Sequence, residues 1–351
     1  MSAPRIVIGA GGTAGHVVPA LAVADALRDE GAEVVFVGGE RAELELVPAA
    51  GYPLHSLRVL SLPRRRPLKA ARAAAIDATA VLGARSLIRE LRPHAVVGAG
   101  GYVAGPIGLA AVLDRIPLVL SEADSHLGLT NRLLAPAARR VCLAFPIKGR
   151  SGGRYRVTGR PVPPPASDRA AARVRFGIEP QETCVLVFGG SLGARSINHA
   201  AIDAFAGARF HVLHAAGARD LPELSSPGPH YDLRGYIADF GEALLASDLV
   251  VARSGGSVFE VAAAGRPAVL IPFPHATGDH QTANARFMER AGAAIVIPDS
   301  ELTGPRLAHE VGGLLADHGK LAAMARASAE LARPDAAREI AREVLAAAGV
   351  G

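Results

Sequence analysis

Short apolar runs punctuate the chain, each followed by a glycine-rich or polar stretch and then by a longer segment of mixed character. Arg5 to Gly9, Val34 to Val37, Ala95 to Val97 and Pro117 to Leu120 are such runs in the first half. Thr183 to Phe188, Phe210 to Ala215, Leu249 to Ala252 and Ala268 to Ile271 repeat the pattern in the second. Runs of this length bounded by glycine predict buried strands, and the segments between them predict helices. A helix is expected from the first glycine turn to about Arg28. Another runs from Ala70 to Arg92, with Ile76, Ala80, Leu87 and Leu91 on one face, and a third from about Ser257 to Gly265. Gly51 to Leu62 reads as a strand and loop, and a further strand is expected around Tyr236. The order strand, glycine turn, helix, strand predicts parallel sheets covered by helices.

Val157-Thr158-Gly159-Arg160-Pro161-Val162-Pro163-Pro164-Pro165 interrupts the pattern as a proline-stiffened linker. The expected architecture is therefore α/β, two facing Rossmann-like domains with a cleft between them, over residues 1–160 and 161–333. The alanine-rich tail after Pro334 is expected to form a helix that crosses back onto the first domain. Ala95 to Leu113 carries no charge and approaches the length of a membrane span, but its glycines and Pro106 predict strand, loop and helix instead.

Composition narrows the chemistry. The 351 residues are 50% hydrophobic and 20% charged, with a formal net charge of +5. This is globular, with a basic bias suited to an anionic surface or substrate and no particular indication of nucleic acid. Aromatics make up 4% and Trp is absent, so a recognition surface built on aromatic stacking is excluded. Cys142 and Cys184 stand in no ligand spacing and read as core residues of a reducing compartment. The amino terminus has no signal-peptide pattern. Pro63-Arg64-Arg65-Arg66-Pro67-Leu68-Lys69, beside the Ala70 helix, reads either as a contact to an anionic bilayer or as a solvated loop.

The candidate chemistry lies in the glycine turns. Arg253-Ser254-Gly255-Gly256 ends a strand and opens a helix, a position where unpaired N–H groups and the helix dipole favour phosphate. Glu260, one turn later, is a suitable acceptor for ribose hydroxyls. Taken alone, the stretch reads equally as a tight turn followed by a solvated acid. Gly9-Ala10-Gly11-Gly12-Thr13-Ala14-Gly15-His16 is a second such turn, with His16 at the helix entrance as a proton acceptor or as a cap. Gly98 to Pro106 surrounds Tyr102 with four glycines, as if backbone were held close to something bulky. Glu122 and Asp124 follow a strand, as candidate bases or as helix-capping acids. Gly189-Gly190-Ser191-Leu192-Gly193 is a further turn entering a helix.

Together with Leu127 to Leu134, the run Gly189 to Asn198, and Asp248 to Pro274 with Gln281 and Asn284, these turns resemble the MurG family over essentially the whole chain. The resemblance implies a GT-B fold and inverting transfer of N-acetylglucosamine from UDP-N-acetylglucosamine. The acceptor would be undecaprenyl-diphosphate-linked muramyl-pentapeptide, at the cytoplasmic face of the cell membrane and without a metal or other cofactor. It implies that Gly190 and Ser191 touch the diphosphate, Ile237 holds uracil through its backbone, and Glu260 binds ribose. Gln281 would contact the sugar, Gly256 and Asn284 complete the donor site, and Thr13, Ala14, Gly15 and His16 close over the reaction centre. His16 and Glu122 are the two candidate bases.

The sequence departs from the family pattern at several places. Ser121-Glu122-Ala123-Asp124 stands where the family has His-Glu-Gln-Asn, so the donor-contacting asparagine becomes Asp124. Gly159-Arg160-Pro161-Val162-Pro163 stands for Gly-Asn-Pro-Val-Arg, so the diphosphate-binding arginine is missing and Arg160 is its candidate substitute. His214-Ala215-Ala216-Gly217 replaces His-Gln-Thr-Gly, and the helix leading to Glu260 is one residue shorter. Such changes leave room for another acceptor, for a nucleotide-sugar epimerase, or for a silent UDP-sugar-binding scaffold. No Asp-x-Asp follows a strand, which argues against an obligatory metal-bound diphosphate.

Overall fold

The computed structural model describes residues 3–59, 67–190 and 193–350. They form two compact units, Met1–Pro163 with Arg333–Gly351, and Pro164–Ala332. The first holds strands β1 (Arg5–Gly9), β2 (Glu33–Gly38), β3 (Leu54–Ser56), β4 (Ala95–Gly98), β5 (Leu118–Glu122), β6 (Arg140–Leu143) and β7 (Tyr155–Val157). Its helices are α1 (Ala14–Asp29), α2 (Ala42–Ala49), α3 (Pro67–Leu91), α4 (Ala104–Leu113) and α5 (Leu129–Leu134). The second holds β8 (Cys184–Phe188), β9 (His211–Ala215), β10 (Tyr231–Arg234), β11 (Leu249–Ala252), β12 (Ala268–Leu270) and β13 (Ala294–Val296). Its helices are α6 (Arg169–Arg175), α7 (Arg195–Phe205), α8 (Phe240–Ala246), α9 (Val258–Ala263), α10 (His280–Arg290), α11 (Gly304–Ala316) and α12 (His318–Glu330). The last helix, α13 (Ala336–Ala347), belongs to the first unit.

Every described strand pairing within the two sheets is parallel, in the orders β3-β2-β1-β4-β5-β6-β7 and β10-β9-β8-β11-β12-β13. The order reverses between β1 and β4 in one sheet and between β8 and β11 in the other, the position at which α/β sheets bind ligands beyond the strand ends. Register makes this concrete. Gly9 pairs with Gly98, and Phe188 with Ala252. The first two glycine turns therefore leave one sheet side by side, and the Gly189 and Arg253 turns leave the other in the same way.

Apolar runs became strands because parallel strands are buried on both faces; Ile6, Val7 and Ile8 are wholly inaccessible. On one face of the first sheet, Ile8, Phe36 and Val97 pack with Val17 and Leu27 of α1 and with Ile340 and Val344 of α13. On the other, Val7, Val96 and Leu120 pack with Ile88 of α3 and Ile107 of α4. In the second unit, Val187, Val251 and Val269 pack with Ile197 of α7 and with Leu307 and Val311 of α11. Cys142 and Cys184 are buried free thiols, and burial pushes each up to about 12. Among the described residues no helix is long and apolar enough to cross a membrane; Ala95 to Leu113 forms β4, a loop and α4.

The strand expected around Tyr236 lies earlier, at Tyr231–Arg234, and Tyr236 sits in the loop that follows. Among the described residues of the Gly51 to Leu62 stretch, Leu54–Ser56 pairs as a strand. β6, β7 and β13 escaped the sequence reading, because they are short and their apolar character is limited by Arg140, Arg156 and Gly292 before β13.

Packing makes α13 integral to the amino-terminal unit. Ile340 is fully buried between α1 and the sheet, and Glu343 takes an ion pair from Arg140 at 2.6 Å. Ile340→Ala is expected to destabilise that unit by about 2–5 kcal/mol, the usual cost of emptying such a site, as read by denaturant unfolding. Glu343→Ala, at a partly exposed pair, is expected to cost under about 1 kcal/mol.

Candidate functional site

Two groups of sequence-predicted residues assemble, one at each sheet's point of reversal. The first gathers Thr13, Ala14, Gly15, His16, Glu122, Asp124 and Arg160. Thr13 precedes α1 in an extended conformation, and its carbonyl accepts from the His16 and Val17 N–H groups. Its hydroxyl lies 3.2 Å from His16 Nδ1, which fixes the ring. Pro19 stands inside α1 and has no N–H, so the carbonyl of Gly15 lacks its ordinary helical donor. Arg160 Nη2 donates to that carbonyl at 2.5 Å. A guanidinium thus joins the exposed amino end of α1, where the helix dipole already favours anions.

His16 lines a pocket with Ser121, Glu122, Arg160 and Pro161. Burial, and then the charge of Arg160, hold its imidazole below the usual histidine range, while Asp124 acts in the opposite direction. The ring is therefore neutral at pH 7 and suited to accept a proton.

Glu122 has a different setting. At the end of β5 it is 6% exposed. One oxygen accepts from the Asp124 N–H at 3.1 Å, the other from the Gly128 N–H at 2.8 Å and from Asn131 Nδ2 at 3.0 Å. Burial raises its pKa against these bonds. Both oxygens are committed to the loop between β5 and α5, so of the two candidate bases the geometry favours His16 and makes Glu122 the loop's brace.

The glycines around Tyr102 do hold backbone close to something bulky, and that something is the first glycine turn with the His16 ring. Gly101 has φ +76°, and a Cβ there would overlap the carbonyl oxygen of Gly11; a Cβ on Gly100 would lie 2.8 Å from His16 Cδ2. The two loops can meet only as bare backbone.

The second group lies at the carboxyl ends of β8 to β12. Gly190 follows β8, while Ser191 and Leu192 lie outside the described residues. Gly256 and Glu260 are half-exposed at the start of α9, and Ile237 is buried in the loop after β10. Gln281 is half-exposed, and its Oε1 accepts from the Phe273 N–H at 3.0 Å. Asn284 is fully buried, and its Nδ2 donates to the Ser254 carbonyl at 3.1 Å, so it braces the turn from behind.

Sequence reasoning missed the groups that shape these turns. Arg253 is buried, donating to the Ile271 and Pro272 carbonyls, to Asp299 at 2.6 Å and to Ser196 Oγ at 2.9 Å. It ties the ends of β11 and β12 to the start of α7. His214 is also buried, between Tyr231 Oη at 2.8 Å and Asn198 Oδ1 at 3.0 Å, and burial lowers it to about 4. Asn198 Nδ2 in turn holds the Ala216 carbonyl. Glu43, buried on the inward face of α2, is the third. The available signal was the same in each case: a lone charged or polar residue beside a buried strand or on the apolar face of a helix.

Similarity to known proteins agrees with this arrangement. Residues 6–143 match the model of the glycosyltransferase family 28 N-terminal domain and residues 184–340 that of the family 28 C-terminal domain. The chain is 41% identical to the UDP-N-acetylglucosamine--N-acetylmuramyl-(pentapeptide) pyrophosphoryl-undecaprenol N-acetylglucosamine transferase of Moorella thermoacetica, over 97% of this chain and 98% of that one. The protein of the same name from Rubrobacter xylanophilus is 43% identical over 94% of this chain and 99% of its own. The crystal structure of Acinetobacter baumannii MurG superposes with a TM-score of 0.78 at 30% identity, covering 98% of this chain and all (100%) of that one.

The surroundings of His16 make its titration a direct check. Followed by NMR, its ring is expected to protonate below the usual value near 6.5. Arg160→Gln removes a charge that disfavours protonation and should move the midpoint up. Asp124→Asn removes the opposing charge and should move it down. A midpoint unmoved by either substitution contradicts the placement.

Proposed function

The chain belongs to the MurG family of glycosyltransferases, and on that premise we propose that it transfers N-acetylglucosamine from UDP-N-acetylglucosamine to undecaprenyl-diphosphate-linked N-acetylmuramyl-pentapeptide in peptidoglycan synthesis. The observation that carries this reading beyond likeness is the state of His16: neutral, oriented by Thr13, and set at an anion-favouring helix end. The acceptor's 4-hydroxyl attacks the anomeric carbon and inverts it as the carbon–oxygen bond to UDP breaks. His16 takes the hydroxyl proton and releases it to solvent, and the growing charge on the diphosphate is met by backbone N–H groups and fixed positive charge rather than by a required metal.

The carboxyl-terminal unit supplies the donor contacts: the Gly190–Ser191 turn for diphosphate, the Ile237 backbone for uracil, Glu260 for ribose, Gln281 for the sugar, with the Gly256 turn and Asn284 completing the site. The amino-terminal unit, residues 1–160 with the helix after Pro334, serves the acceptor, Arg160 standing in for the arginine that Pro163 replaces. Its docking is peripheral, at the cytoplasmic face and on anionic lipid. Leu109 and Leu113 of α4 and Leu129 and Leu133 of α5 are 40–69% exposed, an apolar face suited to a bilayer interface. The Arg64 to Arg66 cluster lies outside the described residues. Nucleic acid has no part in the reading. A transferase acting on another lipid acceptor is the second reading, favoured by Asp124 and Pro163 where the family has asparagine and arginine.

His16→Ala is expected to lower turnover about a hundredfold or more while leaving UDP-N-acetylglucosamine affinity within about twofold; near-normal turnover removes His16 from the mechanism. Glu260→Ala is expected to weaken donor binding by about tenfold to a hundredfold, the worth of one or two hydrogen bonds to a charged acceptor. Unchanged affinity in a calorimetric titration sinks the ribose assignment.

A further inference from the structure

Glu43 is the one acid on the inward face of α2, and it is wholly inaccessible to solvent. A buried carboxylate needs partners, and those of Glu43 come from three strand-end loops. Its Oε2 accepts from the Gly12 N–H at 2.9 Å. Its Oε1 accepts from the Gly39 N–H at 2.8 Å and from the Tyr102 hydroxyl at 3.1 Å. Tyr102 in turn accepts from the Glu40 N–H at 3.3 Å. Burial alone would raise the Glu43 pKa, but the bonds from Gly12, its own backbone, Gly39 and Tyr102 outweigh it and hold the group below the usual carboxylate range. The group is an anion at every ordinary assay pH.

We propose that Glu43 is a positioning residue for the transfer, acting through the two glycine loops on His16. The proposal rests on His16 being the proton acceptor. The path is short and continuous. Gly12 carries one of the N–H groups bound by Glu43, and Thr13, next in the chain, places its hydroxyl on His16 Nδ1. Tyr102 anchors the loop in which Gly100 presses on the His16 ring and Gly101 on Gly11. One carboxylate therefore fixes both the loop that carries His16 and the loop that packs against it. Charge-assisted bonds to backbone N–H groups are the stronger kind, and Gly12 sits at φ +106°, a conformation this bond helps to fix.

Glu43→Gln keeps the shape but offers an amide N–H₂ to one of two facing N–H donors. It is expected to lower kcat about tenfold to a hundredfold, as misplacement of a reacting group does. Donor affinity is expected to stay close to wild type, and the protein to remain folded with a somewhat lower melting temperature, since a buried N–H loses its acceptor. The ring signals of His16 and the amide signals of Gly12 and Gly39 should shift in NMR spectra of the same sample. A folded Glu43→Gln protein with wild-type kcat and unmoved His16 signals overturns the proposal. If that variant does not fold, Tyr102→Phe decides, since it leaves both glycine bonds in place. It should lower kcat about threefold and move the His16 signals, and no change in either overturns the proposal. Absence of transfer by the wild-type protein would instead strike at the proposed reaction, and the His16 signals would still report on Glu43.

Discussion

Bare backbone meets bare backbone where Gly101 lies against the carbonyl of Gly11, and the amino-terminal site depends on that contact. Adjacent parallel strands in register, Gly9 beside Gly98, send both loops out of the sheet at one place. Any side chain at Gly101 would drive them apart, and the left-handed backbone there excludes most residues on conformational grounds alone. With the loops pressed together, His16 has a wall on one face, Thr13 at one nitrogen and a pocket beside it. A base that must be neutral and oriented gains the first property from burial and the nearby charge of Arg160, and the second from Thr13 and the packed loops.

Buried polar side chains play a common part in the two units. Glu43 draws in N–H groups around the first turn, Glu122 those of the loop after β5, and Arg253 gathers carbonyls around the turn after β11. His214 and Asn198 do the same for the end of β9. Glu43, Glu122, Arg253 and Asn198 each bond loop backbone directly, and His214 holds Asn198 in place, so together they set the loops' shape while leaving the remaining groups at the helix ends for a ligand. The proline in α1 belongs to the same scheme: by withholding one N–H it leaves a carbonyl for Arg160.

Much of the fold was legible because parallel strands buried on both faces are written as continuous apolar runs, and glycine turns after them mark the ligand-binding edge. Strands as short as Tyr155–Val157 and Ala294–Val296, interrupted by an arginine or closely preceded by a glycine, carry too little pattern to read. Of the site, the residues that face outward at helix starts, Thr13 to His16 and Gly256 to Glu260, stood out by position. The bracing groups did not. An inward-facing Glu43 and a solvated Glu45 look alike in sequence, and only the fold reveals that Gly12, Gly39 and Tyr102 converge on the first. Asn284 is likewise a group whose bracing of the Ser254 carbonyl only the fold reveals.

Metal-independent transfer of N-acetylglucosamine to a lipid-linked muramyl acceptor, as proposed here, can be followed by radiolabel passing from UDP-N-acetylglucosamine into a short-chain analogue of undecaprenyl-diphosphate-muramyl-pentapeptide, with and without chelator. The expected result is transfer that depends on the acceptor and is indifferent to the chelator. Tight UDP binding with no label in this acceptor, or transfer abolished by the chelator, would contradict it.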